Sequence, residues 1–191
     1  MSQENIVRGL RYLISLPSER AAQRRSLDER LFLRFRGLFR LFGAIWMRLP
    51  PRSRLRRLML TRLAVRGHAA GNRRDFDVLL MGLDPEIEYH PSTDLMPPDL
   101  EAVFYGHDGY LKVWRRWLDA FQDFRFEPEE LLDLGEDKLL VTVQLKAHGS
   151  DGGVPVSQPG FQLARVKGGR VVWQADFSDR SKALEAAARR E

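Results

Sequence analysis

Apolar and polar positions divide the chain into a helical first half and a strand-rich second half. Ile6, Leu10, Leu13 and Ile14 recur at helical spacing and stop at Pro17, which predicts a short amphipathic helix. Ser26 and Glu29 fit the S-x-x-E capping box, in which each side chain satisfies the other residue's backbone N–H. The helix it opens carries Leu31, Phe35, Leu38, Phe42, Ile45 and Leu49 at alternating steps of four and three. Phe32, Phe39 and Trp46 widen that stripe, Arg36, Arg40 and Arg48 lie opposite, and Pro50-Pro51 ends it. A third helix is predicted from about Arg52 to Gly71, then an Asn72-Arg73-Arg74-Asp75 corner and one or two helical turns to Met81.

Ile87 to Tyr89 reads as a short strand, and Pro91, Pro97 and Pro98 mark an irregular loop. Tyr110, Val113, Trp114, Trp117, Leu118 and Phe121 follow a strong helical period, with Asp108 placed to cap it. Everything after Phe124 alternates as strands do: 124–134, 138–148, 154–167 and 170–177, separated by glycine-containing turns. Ser181 to Arg190 forms a terminal helix. Helices followed by long antiparallel strands define an α+β class.

Charge changes this picture. Residues 1–74 hold 18 Arg, no Lys and four acids, a net +14, whereas residues 75–191 carry −9. The basic arm therefore packs on the acidic body or a second subunit, lies on a membrane, or binds nucleic acid, although no nucleic-acid module accompanies it. Arginines interrupt every apolar stretch long enough to span a bilayer, and no signal peptide is legible, so a cytoplasmic protein is expected. With no cysteine there is no thiolate metal site or cysteine nucleophile. The four scattered histidines match no metal motif, and no cofactor fingerprint occurs.

Four segments carry a resemblance. GNRRDFDVLLMGLDPEIEYHP, YGHDGYLKVWRRWLDAFQDFRFEPEELLDLG, DKLLVTVQLKAHGSDGGVPVSQP and GGRVVWQADFSDRSKALEA are similar to the SnoaL-like branch of the NTF2-like superfamily, over Leu55 to Ala188. The resemblance implies a cone: a curved antiparallel sheet wrapped around helices, with an apolar pocket at its open end. On this reading residues 1–50 are a basic helical extension, and residues 51–191 are the domain. It also implies a homodimer and a small apolar ligand. The chemistry implied is a cofactor-independent isomerase, cyclase or lyase, with the alternative of an assembly or membrane-peripheral protein using the arm. Classical ketosteroid isomerisation does not fit: His90 stands where that enzyme's base Asp would be. The tyrosine and the late carboxyl are missing from the matching segments.

Imidazole titrates near neutrality, so His90 is the acid/base candidate, with Asp176 as its acid or orienting partner. A carboxylate in an apolar strand needs either solvent or a partner, yet alternation sets Asp176 on one face and Trp173 and Phe177 on the other. Tyr105, Trp114, Trp117, Phe121, Phe161 and Trp173 are candidate pocket walls, or simply core. Gln144 and Gln158 are candidate neutral hydrogen-bonding groups. His68 lies on a helix whose pocket-facing side the sequence does not identify.

Overall fold

The computed structural model describes residues 9–16, 23–92, 102–121, 123–148 and 155–189. Its elements run β1 (Leu10–Leu13), α1 (Leu27–Arg34), α2 (Arg36–Arg48), α3 (Arg54–Asn72), α4 (Phe76–Met81), β2 (Leu83–His90), β3 (Phe104–Tyr105), α5 (Gly106–Ala120), β4 (Arg125–Asp133), β5 (Lys138–His148), β6 (Pro155–Lys167), β7 (Arg170–Phe177) and α6 (Arg180–Ala188). One seven-stranded sheet has the order β1-β4-β5-β6-β7-β2-β3. Only β2 and β7 run parallel; every other neighbouring pair is antiparallel. Register shifts in the β4–β5 and β6–β7 ladders add local bend and twist to the long strands.

The sheet buries both faces against different layers. On the concave side, Leu131, Leu139, Val141 and Val143 meet Leu60 of α3. Farther along, Leu145 and Ala147 join Trp114, Trp117 and Tyr110 of α5. On the convex side, Leu132, Leu140, Phe161 and Leu163 pack under Ala183 and Ala187 of α6, with Trp173 and Phe177 at the margin. Strict alternation along β5 therefore feeds two cores at once.

Local chemistry fixes the joints. Ser26 N–H donates to Glu29 at 2.7 Å and Glu29 N–H to Ser26 Oγ at 3.4 Å, so the capping box forms. At the corner, the Asn72 amide both donates to and accepts from the Phe126 backbone at 2.9 Å, standing in for a neighbouring strand. Asp75 caps α4 through Val78 N–H and receives Arg25 in a two-pronged contact of 2.6 Å per arm. Burial alone would raise the Asp75 pKa, but Arg25, the Val78 N–H and Arg73 together outweigh it and hold the carboxyl low.

Three predicted elements differ. Leu10–Leu13 is an edge strand rather than part of a helix: four residues fit either period, and the free edge of β4 supplied the missing hydrogen bonds. The segment thus joins the sheet from within the expected extension. The long helix breaks at Phe35, whose backbone (φ −128°, ψ 68°) is not helical, giving α1 and α2. Asp108 sits in the first turn of α5 rather than at its cap, which is Tyr105. Residues 93–101 of the loop marked by Pro91, Pro97 and Pro98, and the glycine hairpin at 149–153, lie outside the described residues.

Candidate functional site

The concave face encloses a cavity of about 190 Å³ between α2, α3, α5 and strands β4 to β7. Its lining is mostly apolar and includes Phe39, Leu60, Trp114, Leu131, Val141 and Ala164. Two glycine approaches shape it. A Cβ on Gly71 would lie 2.5 Å from the Trp114 ring, so α3 and α5 close together only with glycine there. Gly43 of α2 sits against Gly169 of the β6–β7 turn, where a Cβ would lie 2.7 Å from the Gly169 Cα. That contact brings α2 over the cavity as one of its walls.

Polar groups enter this lining at four points: His68, Gln162, Gln174 and Tyr110. His68 Nδ1 lies 2.7 Å from the Ala64 carbonyl, so that nitrogen carries the proton and donates. His68 Nε2 lies 2.8 Å from Gln162 Oε1. Burial depresses the His68 pKa and outweighs the two hydrogen bonds that oppose it, leaving the imidazole neutral at pH 7. A neutral ring with Nδ1–H committed has only a lone pair at Nε2. The Gln162 amide must therefore turn its NH₂ toward that nitrogen.

Gln162 is directly opposite Asp176 in the β6–β7 ladder, so both side chains leave the same face. Tyr89 Oη–H donates to Asp176 Oδ2 at 2.6 Å, and Gln174 Nε2–H to Asp176 Oδ1 at 2.9 Å. Burial raises the Asp176 pKa and those two donors pull it partly back, leaving it at about 6. The hydroxyls of Tyr89 and Tyr110, whose rings are 4.8 Å apart, are pushed up by burial and by the Asp176 charge. His68, Gln162, Asp176, Gln174, Tyr89 and Tyr110 thus form one polar strip from α3 across β6, β7 and β2 to α5.

The residues singled out from sequence scatter around this strip. Asp176 belongs to it, one alternation beyond Gln174, and Trp114 lines the cavity. His90 does not meet Asp176. Its Nε2 is 2.6 Å from Glu88, and its ring lies 5.4 Å from Trp173 on the convex side. Adjacent residues of a strand point to opposite faces, so Tyr89 inside forces His90 outside. Phe161 and Trp173 pack on the convex face with α6, and Gln144 is there too, bonded to Ser157 at 2.9 Å. Tyr105 is 67% exposed. Trp117 and Phe121 stack on each other within the aromatic core. Gln158 shares the concave parity of Leu145 but does not reach the cavity. The corrections to Phe161, Trp173, Gln144 and His90 share one cause, the choice of inward face.

Sequence reasoning did not single out Tyr89, Tyr110, Gln162 or Gln174. The spacing Gln174-x-Asp176 was a usable signal: two polar residues at period two in an apolar strand share one buried face and satisfy each other.

The SnoaL-like domain family matches residues 64–174, more than half of the chain, and the chain belongs to that family. Solved structures repeat the fold. TerC, co-crystallised with polyporic acid, is 18% identical, with 66% of this chain and 95% of that one covered at a TM-score of 0.55. An NTF2-like protein of Burkholderia pseudomallei is 19% identical over 65% and 93%, at 0.56. IdmH of Streptomyces antibioticus, a proposed polyketide cyclase, is 18% identical over 68% and 98%, at 0.53. No match was found among the curated proteins. The cone expected from the sequence is thus the fold of the chain.

Proposed function

We propose that the chain binds a small, largely apolar molecule in the concave cavity and moves a proton on it, in an isomerase-, cyclase- or lyase-type reaction. The observation that carries this reading is the polar strip crossing an otherwise apolar cavity, which is how a site orients a ligand with few groups. His68 is the proton acceptor: Nδ1–H is anchored on Ala64, and Nε2 faces the cavity wall behind the Gln162 amide. A ligand hydroxyl or acidic C–H that displaces that amide stands at Nε2. Asp176, with its pKa at about 6, reaches the cavity through Gln174 and serves as the second proton-holding group.

A cavity of roughly 150 Å³ takes up benzene, so about 190 Å³ suits one ring or two fused rings. The crystallisation of TerC with polyporic acid supports a small-molecule ligand for this cone as well.

The reading is tested by native mass spectrometry on protein purified from its host without detergent, and by titrating 2-naphthol while following tryptophan emission. An adduct mass and saturable quenching are expected, both lost in Ala164→Phe, which fills the cavity. Naphthol binding unchanged in Ala164→Phe would remove the cavity as the site. Once a substrate is identified from the adduct, His68→Ala should abolish turnover while binding survives. Undiminished turnover would remove His68 as the base.

A further inference from the structure

The helix that walls the cavity has a second apolar face with nothing described upon it. Phe39, Gly43 and Met47 of α2 point inward. Leu38, Leu41 and Ile45 point the other way and are 38–56% exposed, as are Leu31, Phe35 and Phe42 beside them. Leu55 and Leu58, one Pro-Pro turn later at the start of α3, are also exposed. An amphipathic helix ordinarily keeps its outer face polar, and a patch of this kind marks an interaction surface.

The charge around the patch selects the occupant. From residue 30 to residue 74 the chain has 13 Arg and no Asp, Glu or Lys. Some of these hold the fold together: Arg56 binds Asp133, Arg62 and Arg66 reach Asp28, and Arg73 contacts Glu29. The eight that remain exposed, apart from Arg74 on backbone carbonyls, are Arg30, Arg34, Arg36, Arg40, Arg48, Arg52, Arg54 and Arg57. Among the described residues none of these eight has a carboxylate partner.

A second copy docking isologously on this face would bring guanidinium against guanidinium. A nucleic acid would satisfy the arginines but leave leucine, isoleucine and phenylalanine against phosphates. An anionic bilayer satisfies both: the hydrocarbon enters the acyl boundary while each planar guanidinium meets lipid phosphate at the headgroup level.

We propose that the outer face of α2, with the arginine rim of α1 and the start of α3, docks the protein on an anionic membrane surface. The helix lies in the interface and does not cross it, since no described helix is long and apolar enough to span. A second apolar cleft of about 340 Å³ under α2 shares Phe39, Trp46, Leu63 and Leu79 with the cavity. One helix therefore has the bilayer on one side and the apolar cavity on the other. The inference stands whether or not the cavity is catalytic.

The test is vesicle flotation of the full chain. Phosphatidylcholine vesicles containing phosphatidylglycerol should carry the protein at low salt, and pure phosphatidylcholine should not. Arg34→Glu/Arg52→Glu/Arg54→Glu should weaken partition by roughly a hundredfold, at about a factor of five per arginine. Leu38→Ser/Leu41→Ser/Ile45→Ser should weaken it at least about tenfold. An unchanged thermal transition confirms that each variant is folded. Where one is not, wild-type hydrogen exchange with and without vesicles replaces it, and amides 36–48 should become protected. Several results overturn the proposal: no flotation with phosphatidylglycerol, equal flotation by both folded triple variants, or no added protection of amides 36–48. A lipid-indifferent dimer that the Leu/Ile triple variant splits, seen by light scattering, overturns it equally. So does RNA binding that the arginine variant loses, the Leu/Ile variant keeps and vesicles do not displace.

Discussion

Asp133 on β4 and Asp176 on β7 are carboxylates of one sheet, on its concave side, and their surroundings are opposite. Asp133 has no exposed side-chain surface and receives both arms of the Arg56 guanidinium at 2.7 and 2.9 Å. Arg56 also donates to the Met47 and Leu49 carbonyls at the end of α2, so one buried ion pair ties together α2, α3 and β4. Asp176 has no described cation. Two tyrosines and a glutamine surround it, and burial lifts its pKa to about 6. The first charge is neutralised and its geometry is over-determined, which is a structural arrangement. The second has a protonation state that changes with pH near 6, the kind of perturbed group that clusters at functional sites.

Removing one partner from the neutralised pair should have the largest effect. Arg56→Met leaves Asp133 buried and unpaired, at a cost of about 3–5 kcal/mol. Urea unfolding measures it, and Arg56→Met/Asp133→Leu should recover most of the loss. A cost below about 1 kcal/mol for the single variant would mean that the pair does not tie the helices to the sheet.

Asp176→Asn sharpens the contrast through pH. The folded pKa lies above the ordinary aspartate value of 3.8, so the folded state binds more protons than the unfolded chain between about pH 4 and 6. The stabilisation associated with Asp176 is therefore complete below pH 4 and is lost as pH rises through 6. The stability difference between wild type and Asp176→Asn should change by on the order of 2–3 kcal/mol between pH 4 and 8, in favour of the variant at pH 8. A flat difference would show that Asp176 has an ordinary pKa.

His68 runs the other way. Its depressed pKa means that the unfolded chain takes up a proton first as pH falls, so His68 destabilises the fold below the ordinary imidazole range. His68→Gln should remove that acid-side loss, read as a smaller drop in Tm between pH 7 and 5. The least effect belongs to His90→Ala on the convex face. Its half-exposed pair with Glu88 should contribute no more than about 0.5 kcal/mol, and 2-naphthol binding should be unchanged.

Much of the architecture was legible in the residues. Alternation from Lys138 to His148 marks β5 from end to end, and Ser26/Glu29 marks the start of α1. The helical period of Tyr110, Trp114 and Trp117 marks α5 and its buried side. The site was less legible, because period two states which residues share a face and not which face is inside. Convex and concave surfaces both bury apolar side chains here, so Trp173 and Phe161 became pocket candidates while Gln174 and Gln162 did not. The same ambiguity made His90 the acid/base candidate and left the strip containing its neighbour Tyr89 unnoticed.

The sequence by itself determined the class, the order of elements, the cone expected from its motifs and the uneven charge, because these depend on local period, turn chemistry and counting. Tertiary structure alone decided which face of each strand turned inward and that Leu10–Leu13 would complete a sheet edge. It also decided that α2 would spend Phe39, Gly43 and Met47 on the cavity and leave Leu38, Leu41 and Ile45 outside. Those outcomes depend on which surfaces meet across long stretches of chain, and a side chain's neighbours on its own strand or helix do not encode its partner on another.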